Sequence, residues 1–480
     1  MTKKWLAALA ALVLAALSPL TALADKTDQY NYTYGPNGIV ASVPGFDLAR
    51  TLDSGDLPEG TVLRSVDDLV VGGGRLYVAD ALGAQIHVFD SETFTHVVTI
   101  QSGSEEAGGC PLAGPKGVCF SETLGELYIA DPAAQKVFVL DGETYALKRS
   151  LGRPENMTGD TQFAPYRIAV DTIGRLYIVV QNSHEGIVEL NPDGGFSRYL
   201  GLNKPKINLI EYFWRSLATD EQKKQMAKAY APSFGGVDLD GDGFVFAVTG
   251  DTSSEEKVFR FNAKGDNVIR AEGYDKLVGD VPQYFENSET SSVFTDVATT
   301  DFGAYAVLDR QNGRVFVYDF DGYLITIFSG LGYMKGDLAE ASSLAWNGYD
   351  LLVGDRERGM VMVYMATDFG RSALMAVESY NKGEWDRATE LYQTALSHNA
   401  NFYAGYSGIG RNYLMERDFS QAVYYYKLAK DDEGYSQAFQ GYRETVIQRY
   451  FGWFVAAFLL LAAVFIYTEI RYARRKGGVG

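Results

Sequence analysis

Four histidines supply all the imidazole in the chain: His87, His96, His184 and His398. None stands in a HExxH, Ser-His-Asp or paired-His spacing. His87 and His96 fall in or beside alternating apolar runs, as strand residues do. The only cysteines, Cys110 and Cys119, bound CPLAGPKGVC with eight residues between them. No CxxC is present, so thiol redox chemistry is not indicated. In an exported chain a local disulfide is expected to staple this Gly/Pro loop; two buried free thiols are the other reading. Residues 238–243, DLDGDG, set Asp238, Asp240 and Asp242 at alternate positions before a Gly, the opening of a calcium loop. The twelfth position is Thr249 rather than Glu, and an apolar strand follows at once, which favours a Gly-bearing turn. Ca²⁺ is the one metal the sequence admits, and no cofactor is otherwise expected. VVGGGRL is a hairpin turn between strands, not a phosphate loop opening a helix.

These residues are carried on a repeat. LYVAD ends at Asp80, LYIAD at Asp131, LYIVV at Val180, FVFAV at Val248, AYAVLD at Asp309 and LLVGD at Asp355. Each is followed by a second β-rich run: IHVFD, VFVLD, IVEL, VFRF, VFVYD and VMVYM. A period of about 50 residues with paired strands is the mark of a propeller blade. The fold class expected is an all-β six-bladed propeller, then an all-α helical stack and one transmembrane helix. Tyr77, Tyr128, Tyr177, Val245, Tyr305 and Leu352 are taken as equivalent places in the second strands. The sixth repeat lacks an outer strand, and residues 39–53 are expected to supply it and close the ring. The recurring Asp80, Asp131, Asp309 and Asp355 have two readings, a ring of cation ligands or turn-capping acceptors. Recurrence in blade after blade favours capping.

LYVADALGAQIHVFD (76–90), LYIADPAAQKVFVLD (127–141) and YAVLDRQNGRVFVYDFDG (305–322) resemble the NHL-repeat six-bladed propellers. The resemblance covers residues 39–366 and implies the fold. It leaves function open, since that family spans binding scaffolds and lyase or lactonase enzymes. A lyase of this kind needs metal-binding His that the chain does not place. A lactonase sets acidic and Asn ligands round Ca²⁺, and Asp68 and Asp296 would supply part of such a set.

Aligning the innermost strands brings Asp67, Asp68, Lys116, Tyr166, Arg167, Thr295, Asp296, Ser342 and Ser343 to the mouth of the central channel. Mixed charge, hydroxyls and one aromatic suit a polar small molecule or a peptide end. A water-filled channel with internally paired charges is the plainer reading. Between the third and fourth repeats, residues 203–232 read as an aromatic helical hairpin packing over one face.

The ends place the molecule. Residues 1–24 read as a signal peptide: Lys3 and Lys4, an apolar stretch, then Ala22-Leu23-Ala24. Residues 367–449 carry a 34-residue repeat in which Ala388, Tyr392 and Ala395 recur as Ala422, Tyr426 and Ala429, the tetratricopeptide (TPR) pattern. Residues 450–468 read as a transmembrane helix with aromatic edges, and 469–480 as a basic cytoplasmic tail with Arg471, Arg474, Arg475 and Lys476. The propeller, 25–366, is then extracytoplasmic on a single-pass cell-membrane protein. Without Lys3 and Lys4 the chain has 41 basic and 61 acidic residues, net −20. Such a surface repels nucleic acid, so none is expected as a partner. The expectation is a non-enzymatic binding or scaffold protein with a membrane-associated protein partner, accessory to a transporter or envelope complex. The alternative is an extracytoplasmic calcium-dependent lactonase- or lyase-like enzyme.

Overall fold

The computed structural model describes residues 31–35, 38–102, 110–158, 162–201, 233–252, 254–273, 277–280 and 291–476. The expected signal peptide and the 203–232 hairpin lie outside them. The chain divides into two compact units, one ending at Ala404 and one starting at Gly405.

The first unit opens with a hairpin, β1 (Tyr32–Gly35) and β2 (Gly38–Ala41), followed by β3 (Phe46–Leu52). Blade 1 is β4 (Asp68–Gly72), β5 (Arg75–Asp80), β6 (Gln85–Asp90) and β7 (His96–Gln101). Blade 2 is β8 (Gly117–Ser121), β9 (Glu126–Asp131), β10 (Lys136–Asp141) and β11 (Leu147–Leu151). Blade 3 is β12 (Pro165–Val170), β13 (Leu176–Val180), β14 (Ile187–Leu190) and β15 (Phe196–Leu200). Blade 4 shows three strands among the described residues: β16 (Phe234–Leu239), β17 (Val245–Thr249) and β18 (Val258–Phe261). Blade 5 is β19 (Phe294–Thr299), β20 (Ala304–Asp309), β21 (Arg314–Asp319) and β22 (Leu324–Phe328). Blade 6 is β23 (Ala341–Asn347), β24 (Asp350–Asp355) and β25 (Met360–Ala366), with β3 as its fourth strand.

The ring is a six-bladed propeller, closed where the repeat pattern requires. β3 pairs antiparallel with β25 from Leu52↔Val361 to Phe46↔Ala366. This removes the open edges that would otherwise face each other.

Period-2 alternation builds the core. In β5, Tyr77 and Ala79 face Leu127 and Ile129 of blade 2. Tyr128 and Ala130 likewise meet Leu176 and Ile178, and Tyr177 and Val179 meet Val245 and Ala247. Phe246 and Val248 meet Tyr305 and Val307. The forward-facing aromatic of blade 4 is therefore Phe246, not Val245. Tyr305 occupies the backward-facing place, one residue out of step with Tyr77, because the alternation is counted from the strand-end Asp and not from the aromatic.

Those strand-end aspartates cap loops. Asp80 accepts from the Arg64, Ser65 and Gly83 amides at 3.0, 3.1 and 2.8 Å. Asp131 accepts from Ala113, Gly114 and Ala134 at 2.7, 3.0 and 2.9 Å. Asp309 and Asp355 repeat the arrangement with Val293 and Ala339. All four are fully buried. Each ties the loop entering a blade to the end of that blade's second strand.

After β25, Thr367 caps helix α1 (Asp368–Asn381), accepting from the Gly370 amide and donating to the Pro44 carbonyl. Asn381 donates to the Phe302 carbonyl, and Tyr349 donates to Glu378. Helix α2 (Trp385–His398) follows. The second unit contains most of α3 (Tyr403–Met415), then α4 (Phe419–Ala429) and α5 (Asp432–Lys476). Helix α5 includes one stretch apolar and long enough to cross a membrane, with none of it buried.

Candidate functional site: the propeller channel

Six inner strands surround the axis, and one register position recurs on each. In ring order it is held by Asp68, Gly117, Arg167, Gly236, Asp296 and Ser343, which pair with Ala79, Ala130, Val179, Val248, Leu308 and Gly354. The one long side chain at this level has a glycine on either side. A Cβ on Gly117 would stand 2.7 Å from the Tyr166 carbonyl, and one on Gly236 only 2.6 Å from Asp296. Gly117 lets the inner strands of blades 2 and 3 close in at Arg167, and Gly236 does the same for blades 4 and 5 at Asp296.

Arg167 is 2% exposed and reaches from blade 3 to the blade opposite. Its Nη2 donates to the Ser342 carbonyl at 2.9 Å, and its Nη1 donates to the Lys116 carbonyl. Nε lies 3.7 Å from Asp68 and 3.8 Å from Asp296. The guanidinium packs over the Tyr166 ring, 4.5 Å from its centroid. The carboxylates are held from behind: Asp68 accepts from the Val118 amide and Asp296 from the Leu344 amide, both at 2.8 Å. Each bond crosses to the next blade, so the buried charges also fasten the ring.

Burial dominates the electrostatics. It pushes Asp296 up to about 8, with the Asp68 charge adding to the rise and Arg167 opposing it. Asp68 is raised for the same reason. Burial would depress Arg167, but Asp68, Tyr166 and Asp296 outweigh it and keep the guanidinium charged. Asp238 is pushed up to about 6 by burial, held back by the amide and hydroxyl of Thr299 at 2.7 and 2.8 Å.

Around Arg167 the channel offers two separate cavities that share no lining residue. One, about 690 Å³, opens at the loops entering the blades; Lys116, Tyr166, Gln181, Thr295, Arg310 and Arg356 line it. The other, about 820 Å³, opens at the turns after the inner strands. Its wall carries eight carboxyl groups, including Glu122, Asp171, Asp238 and Asp301, against the single Arg167.

The expected mouth residues thus divide by depth. Asp68, Arg167 and Asp296 form the central cluster. Lys116, Tyr166 and Thr295 line the first cavity. Asp67 is buried and bound to Ser65 Oγ at 2.7 Å, the Ala81 amide at 3.1 Å and Arg356 Nε at 3.0 Å. Ser342 serves through its carbonyl. The Ser342 and Ser343 hydroxyls are fully buried and find no partner among the described residues. Asp68 and Asp296, expected round a metal in the lactonase-like alternative, are engaged by Arg167 and backbone amides.

DLDGDG forms the Gly-bearing turn that its sequence favours, and the disulfide expectation is corrected. Asp238, Asp240 and Asp242 do not form one cluster, since only Asp240 and Asp242 approach Arg260, at 2.6 and 3.8 Å. Asp238 faces Thr299, Asp240 accepts from Arg260 at 2.6 Å and from the Phe244 amide at 2.9 Å, and the Asp242 side chain is 76% exposed. The sequence is the turn between β16 and β17, and no group of three potential metal ligands occurs among the described residues. Cys110 and Cys119 are both free. Cys110 packs into the core between blades 1 and 2, while Cys119 sits against the core between blades 2 and 3. Burial pushes both thiols up to about 12.

Arg310 and Arg356 escaped the sequence reading, although each directly follows a recurring strand-end Asp. That position turns onto the first cavity in blades 3 to 6, as Gln181, Gly250, Arg310 and Arg356. The acidic rim was equally readable, as one carboxylate after another in the first turn of successive blades.

No family model and no curated protein matches the chain. Among solved structures it is similar to hydrazine synthase of Kuenenia stuttgartiensis, with 12% identity and a TM-score of 0.41, covering 65% of this chain and 99% of that one. It is similar to virginiamycin B lyase from Staphylococcus aureus at 8% identity and TM-score 0.41, over 67% and 100%. It is also similar to the β-propeller domain of Cps50 (Swd1) from Myceliophteria thermophila, at 11% and 0.39, over 67% and 100%. No function passes from these to the chain.

Proposed function

We propose that the protein is a membrane-anchored, extracytoplasmic binding or scaffold protein. Its propeller, read as an NHL-type ring, is the recognition face. Its helical segment, read as TPR-like, docks a membrane-associated protein partner, such as a transporter or envelope complex. The observation that carries the reading is the division of the channel into two recesses of opposite charge character that share no lining residue. Recesses with fixed charge and a rigid wall suit recognition. The equivalent burial of Ala388, Tyr392, Ala395 and of Ala422, Tyr426, Ala429 supports the TPR-like reading. The span in α5, followed by Arg471 and Arg474, supports a single pass with the basic end inside.

A photo-crosslinking side chain at Tyr424, 56% exposed on α4, tests the docking role in intact cells. A reproducible adduct with one integral membrane protein is expected. Protease added to the same cells should degrade residues 31–449 and spare the C-terminal tail. Protection of the propeller with digestion of the tail overturns the proposal.

A further inference from the structure

We propose that the cavity lined by Lys116, Arg310 and Arg356 binds a small organic dianion whose two anionic groups bridge the channel mouth. This deepens the recognition reading above and rests on it. The chain as a whole carries a formal net charge of −18, so a cavity with three basic side chains and one acidic one, Asp251, runs against its background. The basic groups are not equivalent. Arg356 is committed: Nε binds Asp67 at 3.0 Å and Nη1 binds Glu340 at 2.8 Å. Lys116 and Arg310 have no carboxylate partner among the described residues. Lys116 lies 5.9 Å from the centroid of the Tyr166 ring, and that ring is backed by Arg167.

Position selects the ligand. Lys116 precedes the inner strand of blade 2, and Arg310 follows the second strand of blade 5. Blades 2 and 5 stand opposite each other in a ring of six. A ligand held by both must carry charge at two ends. Arg310 presents a planar donor fork and Lys116 a compact point charge, which fit carboxylate or phosphate alike. Thr295 and Gln181 on the wall add uncharged hydrogen-bonding groups between them. At about 690 Å³ the space is within the usual range for small-molecule sites. Arg167 lies behind the Tyr166 ring and lines the acidic cavity, so it is no part of this recess's wall. The acidic cavity is a separate recess of the same channel and repels the same ligand, which fixes the end of the channel that the anion enters.

The test uses the full chain in detergent, titrated with glutarate and with 1,3-propanediol bisphosphate by calorimetry and thermal unfolding. Glutaramide and butyrate are the neutral and singly charged controls. Binding of at least one dianion with a Kd of about 1 mM or tighter is expected. The controls should bind at least tenfold more weakly, and the carboxylate and phosphate arms tell the two chemistries apart. Lys116→Gln and Arg310→Gln should each weaken binding roughly tenfold or more, the loss expected for one charged hydrogen bond. Lys264→Gln, on an exposed turn of blade 4, should leave it unchanged. Raising the salt from about 0.02 to about 0.2 M should weaken binding. The proposal is overturned if neither dianion binds, if butyrate binds as well as glutarate, or if the Lys116 and Arg310 variants bind like the parent. Crosslinking through Tyr424 is run in parallel. Capture of the membrane partner without anion binding sinks this site alone, whereas loss of capture with anion binding intact sinks the docking role.

Discussion

Arg167→Met should convert a fastened ring into one whose stability collapses in alkali. The substitution removes two hydrogen bonds, to the carbonyls of Lys116 and Ser342, and leaves Asp68 and Asp296 buried without a counter-charge. At pH 5, well below the raised value of Asp296, less buried carboxylate charge is left uncompensated, so the damage is mainly the loss of the two carbonyl bonds, about 2 kcal/mol. At pH 9 folding must bury unpaired carboxylates, and the total loss rises to ~3–5 kcal/mol, as when one partner is deleted from a buried ion pair. The sign follows from the folded state. Asp296 is raised to about 8, so its contribution is fully present below the unfolded carboxylate range and is lost as pH rises through about 8. Without Arg167 that rise is steeper, because the one group lowering both carboxyls is gone. Urea unfolding of the detergent-solubilised chain at pH 5, 7 and 9, followed by near-UV circular dichroism, reads the difference. Adding Asp68→Asn and Asp296→Asn to the Met variant should restore most of the alkaline part, since amides need no counter-charge. An equal loss at pH 5 and pH 9, or no restoration by the amides, refutes the assignment of Arg167 as the buried cation that holds the ring.

Removing residues 31–53 should lower the propeller's melting temperature by more than 10 °C or abolish folding, because β25 is left as an open edge; scanning calorimetry of the truncated chain decides it. Gly117→Ala places a Cβ 2.7 Å from the Tyr166 carbonyl and should cost about 1–3 kcal/mol in urea unfolding. Asp238→Asn should flatten the fall in stability between pH 4 and about 6, because Asp238 is raised to about 6 in the folded state and its contribution fades as pH climbs through that value. A thiol reagent should find both cysteines in chain denatured without reductant, whereas in native chain buried Cys110 should stay unreacted and half-buried Cys119 should react slowly; a disulfide-linked peptide in a non-reducing digest would contradict the two free thiols.

The ring was legible because its signals are periodic. Paired β-runs recur six times and the strand-end Asp four times, and the unpaired final repeat pointed to the N-terminal strand that closes it. The level of Asp68, Arg167, Asp296 and Ser343 could be read from the same alignment, since inner strands share one register. Depth along the axis could not. Asp67 and Asp68 are neighbours in sequence, yet alternation sends one toward Arg356 and the other toward Arg167. The cysteine pair misled because eight intervening residues suggested proximity, while the β8 strand carries Cys119 to the next interface. The turn in DLDGDG was legible: alternate carboxylates suit a cation only when the backbone curls round all of them, and here Asp240 and Asp242 approach Arg260 while Asp238 faces Thr299.

The clasp between β3 and β25 joins segments more than 300 residues apart in the sequence. A ribosome adding ~5–20 residues per second takes about 15 seconds to a minute to cover that distance. Throughout that interval β3 lacks its partner in the ring, and five blades can assemble without it while the circle stays open. The chain is therefore expected to depend on a holding factor until the circle closes. Its commitment to the native state comes late, only a few residues before the first of the helices is made.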